Sequence, residues 1–79
     1  MPQFERTPYA NRGHRSGVRE FALGPSSIRV WFIDGSGYEY DYRRPGPAHV
    51  ETMKLRAQRG EGLATYINRH VRENYARKL

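Results

Sequence analysis

Short runs of alternating apolar and polar residues follow one another between positions 16 and 43. The first run, at 18–23, predicts a strand, and the three-residue step from Val18 to Phe21 indicates a β-bulge. The second run, at 28–33, carries a bulky side chain at every position, which is typical of a central strand. The third run alternates charged residues with three aromatic ones, which are Tyr38, Tyr40 and Tyr42.

Two turn segments join these runs. Gly-Pro-Ser-Ser at 24–27 is a turn by composition, and Asp-Gly-Ser-Gly at 34–37 tolerates the positive φ angles of a hairpin. Because both connections are short, consecutive runs are expected to pair with each other. The sequence therefore predicts a three-stranded antiparallel meander.

Two helices are predicted after the meander. The prolines within 44–47 end the sheet, because proline cannot donate to a β-ladder. Apolar residues at i, i+3 and i+7 then predict a helix over 48–58, whose core face carries Val50, Met53 and Ala57. A longer stripe predicts a second helix over 63–78, with core-facing positions Leu63, Tyr66, Ile67, His70, Val71, Asn74 and Tyr75. The expected fold is α+β, in the order βββαα, with both helices on one face of the sheet.

Length and composition restrict the class of protein. The 79 residues allow one domain with one modest core, predicted to span 16–79. Residues 1–15 show no period of 2 or 3.6 and are predicted to be a flexible basic arm, from which Phe4 and Tyr9 could dock on the domain. The chain has no cysteine, no apolar run of about 18 residues and no secretory signal pattern, so we expect a soluble cytoplasmic protein.

The net charge of +6 is confined to the second half of the chain. Residues 1–42 carry five arginines and five acidic residues, whereas 43–79 carry nine basic residues and three acidic ones. All the basic residues except Lys54 and Lys78 are arginines, whose planar guanidinium suits bidentate phosphate binding. The excess is compatible with a nucleic-acid partner, with an ordinary solvated surface as the alternative.

The predicted second helix places three polar residues on one flank. Asn68 and Arg72 are four residues apart, and Arg69 and Arg72 are three apart, so their side chains are neighbours on a helix. An amide with two guanidiniums can hold a phosphate or a base edge. In the alternative, Arg69, Glu73 and Arg77 pair with one another at four-residue spacing, which implies no partner. The candidate nucleic-acid contacts are Arg43, Arg44, Asn68, Arg69, Arg72 and Arg77.

The aromatic residues of the predicted sheet allow two interpretations. Tyr38 and Tyr40 are expected to pack beneath the helices with their hydroxyls at the surface, although a row of tyrosines can also stack nucleic-acid bases. Trp31 and Ile33 point to the opposite face, where only the N-terminal arm is left to cover them. That face could bind a partner, self-associate or be covered by the arm. The candidate stacking or partner residues are Trp31 and Tyr42.

Nothing in the sequence predicts catalysis. Its three histidines, His14, His49 and His70, belong to no His-Glu-x-x-His motif, and no phosphate-binding glycine loop or metal-spaced acidic cluster occurs. His70 lies on the apolar stripe and is expected to be a boundary residue of the core. We therefore predict no catalytic residue, metal, cofactor, small-molecule substrate or membrane partner.

Several short motifs follow one another in a defined order along the chain. They are Ser16-Gly17-Val18, Val30-Trp31-Phe32 before the glycine turn, Tyr38-Glu39-Tyr40, Pro45, and the closing block Tyr66-Ile67-Asn68-Arg69-His70-Val71-Arg72-Glu73-Asn74-Tyr75. Over 16–75 the chain thereby resembles the KTSC domain family, a short module found at the C-terminus of some lysyl-tRNA synthetases and as a stand-alone bacterial or phage protein. The chain departs from the family pattern at Ala64 and Thr65, since the family usually has a glycine shortly before the aromatic-Asn pair, and in a longer loop at 59–63.

The resemblance implies no established activity, only a connection with RNA through the synthetase context. Together with the localised charge it supports our first hypothesis, a small non-enzymatic module that binds nucleic acid, with RNA as the expected ligand. The alternative hypothesis is a protein-interaction or self-association module that uses an exposed Trp31 and Ile33 face.

Overall fold

The computed structural model describes residues 5–12 and 17–79, which form a five-stranded antiparallel sheet with helices on one face. The strands follow one another in the sheet in the order in which they occur in the chain. The elements are β1 (Thr7–Pro8), β2 (Val18–Leu23), β3 (Ser27–Phe32), β4 (Gly37–Asp41), α1 (Pro47–Arg59), α2 (Leu63–Tyr66), a π-helical turn (Ile67–Val71) and β5 (Arg77–Lys78). The predicted α+β class is confirmed, and β2, β3 and β4 are the predicted meander.

The predicted bulge is present in β2. The pairing of β2 with β3 shifts register between Val18 and Glu20, and Phe21 then lies opposite Val30. An extra residue at this point returns Phe21 to the same side of the sheet as Val18, so both side chains are buried in one core. The three-residue spacing in the sequence is therefore a consequence of the bulge.

Helix α1 begins and ends at glycines with positive φ. Gly46, at φ 116°, precedes Pro47 at the first turn, and Gly60, at φ 76°, ends the helix in the left-handed conformation. The helix buries the predicted residues Val50, Met53 and Ala57 against the sheet. The same core contains the other fully buried large side chains, which are Tyr40, Ile28, Leu63 and Val30.

The prediction of a second helix over 63–78 is wrong beyond Val71. The α-helix covers only Leu63–Tyr66, a π-helical turn continues to Val71, and Arg72 then leaves the helix with φ 31°. The last residues return to the sheet as β5, where the Ala76 N–H donates to the Glu39 carbonyl at 2.7 Å. Pairing with the open edge of β4 satisfies backbone groups that another helical turn would leave unpaired at that edge.

The prediction of a flexible arm does not fit residues 5–12. Thr7–Pro8 pairs with β2 as an edge strand, and the side chain of Tyr9 is buried in the core. The Tyr9 hydroxyl accepts a hydrogen bond from the Leu63 N–H at 3.2 Å, which satisfies a donor at the start of α2. Tyr9 therefore docks on the domain, but in the core beside the helices and not over Trp31 and Ile33. Phe4, His14 and the predicted boundary at 15/16 lie outside the described residues.

Among the described residues, no helix combines the length and the apolar character that a membrane span requires. The same part of the chain brings together no group of three or more His, Cys, Asp or Glu residues that could hold a metal ion.

Candidate nucleic-acid interface

The sheet face that points away from the helices, here called the outer face, is covered by ion pairs. Glu39 accepts from Arg29 Nε at 2.7 Å and from Arg77 Nη2 at 3.2 Å, and its own side chain is only 13% exposed. Arg6 pairs with Glu20 at 2.7 Å on the same face. Arg77 was predicted to share a helix flank with Arg69, but it lies on β5 and serves to neutralise Glu39.

Trp31 is half-buried on the outer face. The Arg6 guanidinium lies 4.0 Å from the centre of the indole ring, a cation–π contact made by the described part of the predicted arm. On the neighbouring strand Gly37 leaves room for the indole, because a Cβ at Gly37 would lie 2.6 Å from Trp31 Cδ1. Trp31 is therefore covered in part, and Ile33, which is 70% exposed, is the open apolar residue beside it.

The turn after β4 holds Arg43 and Arg44 at the surface. The Asp41 carboxylate accepts hydrogen bonds from both backbone N–H groups, each at 2.9 Å, which fixes the turn and leaves both guanidiniums exposed. Arg44 Nε donates to Asn74 Oδ1 at 2.7 Å. The turn is thereby joined to the segment that follows the π-helical turn.

Tyr42 belongs to the same turn but is directed to α1. Its hydroxyl donates to Glu51 Oε2 at 2.6 Å, and this hydrogen bond lowers the pKa of Glu51 and raises the pKa of Tyr42. Lys54 also contacts the Glu51 carboxylate, at 3.1 Å. The Tyr42 ring is 39% exposed, so the residue combines a structural hydrogen bond with some accessible ring surface.

The helix end exposes Asn68, Arg69 and Arg72. The alternative in which Arg69 pairs with Glu73 and Arg77 is not formed, because the helix ends before Glu73. In the described part of the chain, no ion pair involves Arg43, Arg44, Arg69 or Arg72. These four guanidiniums are therefore not engaged in ion pairs, although Glu73 lies in the same cleft as Arg72 and Asp41 lies beside Arg43 and Arg44.

Between the helix end and the sheet lies an aromatic cleft of about 330 Å³. It is lined by Phe32, Tyr38, Tyr40, Ile67 and Tyr75 and by the polar residues Asn68, Arg72 and Glu73. The rings of Tyr38 and Tyr75 are 4.7 Å apart, and both side chains are only partly buried. Tyr40 is almost fully buried, and this burial raises the pKa of its hydroxyl. Tyr75 reaches the cleft only because the chain turns back after Arg72, which the helical pattern did not predict.

The predicted contacts divide between three places. The surface here called the cleft surface comprises Asn68 and Arg72, which line the aromatic cleft, and Arg43 and Arg44, which line a separate pocket with Asp41 and Ala76. The hydrogen bond from Arg44 to Asn74 joins this turn to the residue before Tyr75. Arg69 is one residue from Asn68 but lines a different cleft. Arg77 and Trp31 belong to the outer face.

The second cleft has a volume of about 250 Å³ and lies where α1 meets α2. It is lined by Arg56, Gly62, Thr65, Tyr66, Arg69 and His70, and His70 is exposed there rather than at the edge of the core as predicted. The Tyr66 hydroxyl lies 2.7 Å from His49 Nδ1, and the Tyr66 and His70 rings are 4.5 Å apart. The four-residue spacing of Tyr66 and His70 in the sequence predicts that their side chains are neighbours. The contact of α1 with this pair could not be predicted from any local spacing.

Arg56 in this second cleft has an unsatisfied donor. Its Nε is buried and has no hydrogen-bond partner within residues 5–12 and 17–79, a state that costs about 1–3 kcal/mol in a folded protein. Its guanidinium lies 5.4 Å from the centre of the Tyr66 ring. A Cβ on Gly62 would come within 2.9 Å of Arg56 Nη1, so glycine at 62 leaves space for this side chain.

In comparisons with known proteins, no family model, curated protein or solved structure matches the chain.

Proposed function

We propose that this chain is a small, non-enzymatic module that binds single-stranded nucleic acid, with RNA as the ligand, across the cleft surface. The observation that supports this most is the aromatic cleft, whose lining includes the Asn68 amide and the Arg72 guanidinium, which forms no ion pair with the Glu73 carboxylate in the same cleft. The resemblance of 66–75 to the closing block of the KTSC domain family supports RNA rather than DNA. The same resemblance makes membership of that family part of the proposal.

The aromatic cleft is suited to a nucleobase. Tyr38 and Tyr75 pack against each other but are only partly buried, so a base would stack on the ring surface that each leaves uncovered. Stacking on an aromatic side chain contributes about 1–3 kcal/mol per base. The Asn68 amide can both donate to and accept from a base edge. Arg72, which lines the same cleft, would neutralise the phosphate attached to the stacked nucleotide.

The Arg43–Arg44 turn extends the interaction along the strand. Both side chains are exposed and lack a carboxylate partner in the described part of the chain, so a phosphate would not have to displace an existing ion pair. The bond from Arg44 to Asn74 holds the turn beside the cleft. When one base of an RNA strand occupies the aromatic cleft, the neighbouring phosphates of that RNA would therefore contact Arg43 and Arg44.

Fluorescence anisotropy with labelled single-stranded RNA and duplex DNA tests the proposal. We expect RNA binding that weakens steeply between about 50 and 200 mM salt, because phosphate contacts release counterions. Duplex DNA should bind more weakly, since its bases are not free to enter the cleft. Absence of RNA binding at low salt, or binding that does not depend on salt, would contradict the proposal.

Asn68→Ala separates base recognition from charge attraction. The residue is exposed, so the variant should fold, and it removes no charge. We expect weaker binding of RNA at every salt concentration with an unchanged salt dependence. Gln58→Ala, which removes an exposed amide on α1 outside both clefts, is the matched control and should bind RNA as the wild type does.

A protein-interaction role remains the alternative, and the 70% exposure of Ile33 is the observation that favours it. The outer face around it is otherwise occupied by ion pairs and by Arg6 over Trp31. Sedimentation of the wild type, Trp31→Ser and Ile33→Ser tests self-association through this face. If the face self-associates, the wild type sediments as an oligomer and both variants sediment as monomers.

A further inference from the structure

We propose that the second cleft, between α1 and the π-helical turn, is a phosphate-binding site formed by Arg56, Arg69 and His70, separate from the cleft surface. Its ligand is a phosphate group, either free or at the end of a nucleic-acid strand. The residues that form this site are not those of the aromatic cleft, so it goes beyond the proposed binding of single strands.

The lining of the cleft has the chemistry of an anion site. Two guanidiniums and an imidazole face a volume of about 250 Å³, and no carboxylate is among the lining residues. Arg69 takes part in no ion pair within residues 5–12 and 17–79. Thr65 adds a hydroxyl donor. Guanidinium forks and neutral donors around one space are the groups that bind phosphate oxygens.

Arg56 is held in place before any ligand arrives. Its guanidinium lies beside the Tyr66 ring, and Gly62 leaves the space that it occupies. The Tyr66 ring is itself fixed by its 2.7 Å hydrogen bond with His49. A binding group whose conformation is already restricted loses less entropy when the ligand binds.

The unsatisfied Nε of Arg56 is the second, independent observation. A buried donor without an acceptor is unusual in a folded protein, and in the described residues no carbonyl or carboxylate serves it. A phosphate in the adjoining cleft brings several acceptor oxygens to the same guanidinium, and a small rotation of the side chain would let Nε use one of them.

The π-helical turn explains how both Arg69 and His70 reach this cleft. A π-turn widens the helix and changes which residues share a side, and such turns are frequent at functional sites. Ile67 and Val71 remain buried under the turn, while Asn68 lines the aromatic cleft and Arg69 with His70 line the second. The turn therefore separates a base-binding side from a phosphate-binding side.

Titration of the full chain with inorganic phosphate, followed by backbone amide shifts at ionic strength matched with chloride, tests the site. We expect saturable shifts at residues 62–70, and we expect Arg69→Gln to weaken phosphate binding about tenfold. Arg19→Gln, which removes an exposed arginine outside the described clefts, should change it less than about twofold. Arg56→Lys retains charge but not the fork, and should weaken binding as well. Shifts that do not saturate, or that Arg69→Gln leaves unchanged, would overturn the proposal.

Two oligonucleotides distinguish the sources of the phosphate. If the natural ligand is a strand end, a 5′-phosphorylated RNA should bind more tightly than the same RNA with a 5′-hydroxyl, and Arg69→Gln should abolish the difference. If the ligand is free phosphate, the two RNAs should bind equally while the amide shifts with inorganic phosphate persist. Loss of all RNA binding with these shifts intact would contradict the proposed function and leave the phosphate site standing.

Discussion

The outer face and the cleft surface carry the same type of residue in opposite surroundings. On the outer face Arg29 and Arg77 share Glu39, and Arg6 pairs with Glu20. On the cleft surface Arg43 and Arg72 have no carboxylate partner in the described part of the chain. The comparison shows that the position of the acidic residues, more than the number of arginines, decides which cations are available to a ligand.

The first test of this difference between the two regions removes two arginine charges from each region in turn. Arg43→Gln with Arg72→Gln should weaken single-stranded RNA binding at least about tenfold at about 50 mM salt, and should lower the salt slope by about 1.4, since each lost phosphate contact on a single strand is worth about 0.7. Fluorescence anisotropy over a salt series gives both values. Neither substitution removes a described ion pair, so the free energy of unfolding should change by less than about 0.5 kcal/mol.

Arg6→Gln with Arg77→Gln is the matched control, because it removes the same net charge from the outer face. RNA affinity should fall far less than in the cleft variant, and the salt slope should stay near that of the wild type. Equal losses in the two double variants would show that only the overall charge matters.

A second test concerns stability rather than binding. Glu39→Gln removes the ion pair between Glu39 and Arg29, whose side chains are 13% and 24% exposed. We expect a loss of about 1–2 kcal/mol in the free energy of unfolding measured with urea, between the values for exposed and for buried pairs. RNA affinity should not fall. Weaker RNA binding by the folded variant would place the ligand on the outer face.

The smallest expected effect belongs to Ile33. Ile33→Ser removes an exposed apolar side chain that packs on little, so we expect no measurable change in RNA affinity and a change in unfolding free energy within about 0.5 kcal/mol. Sedimentation should show the same species as for the wild type. A dimer in the wild type that the variant loses would instead support self-association through this face.

Local sequence signals predicted the central part of the fold. Alternation located β2, β3 and β4, the spacing of Val18 and Phe21 revealed the bulge, and the apolar positions of α1 identified its buried face. In these elements the residues that the local pattern marks as apolar are also the ones that the tertiary contacts bury, so the periodicity of each segment was sufficient to predict its structure.

The ends of the chain depended on long-range contacts instead. The apolar stripe from Leu63 to Tyr75 is compatible with two conformations. In a continuous helix Tyr75 would lie on the buried face, and in the observed structure the chain turns back and Tyr75 packs against Tyr38. Tyr9 likewise depends on partners far from it in the sequence, since its N–H donates to the Arg19 carbonyl and its hydroxyl accepts from the Leu63 N–H. Pairing with the edges of a sheet leaves no periodic signal in segments of two residues.

The same limit applied to the site. Asn68 and Arg72 were predicted as neighbours and do line one cleft, but its aromatic wall required Tyr75 to turn back onto the sheet. Arg77 was assigned to the wrong surface for the same reason. The second cleft was missed because it forms between two helices, and no local spacing relates His49 to Tyr66.

Mapping the backbone amides that shift when single-stranded RNA is titrated into the protein tests the central claim most directly, since it reports on both regions at once. The proposed interface predicts saturable shifts at residues 43–44 and 68–75, with the outer-face residues Glu20, Arg29 and Trp31 unchanged. Saturable shifts at these outer-face residues, with 68–75 unaffected, would contradict it.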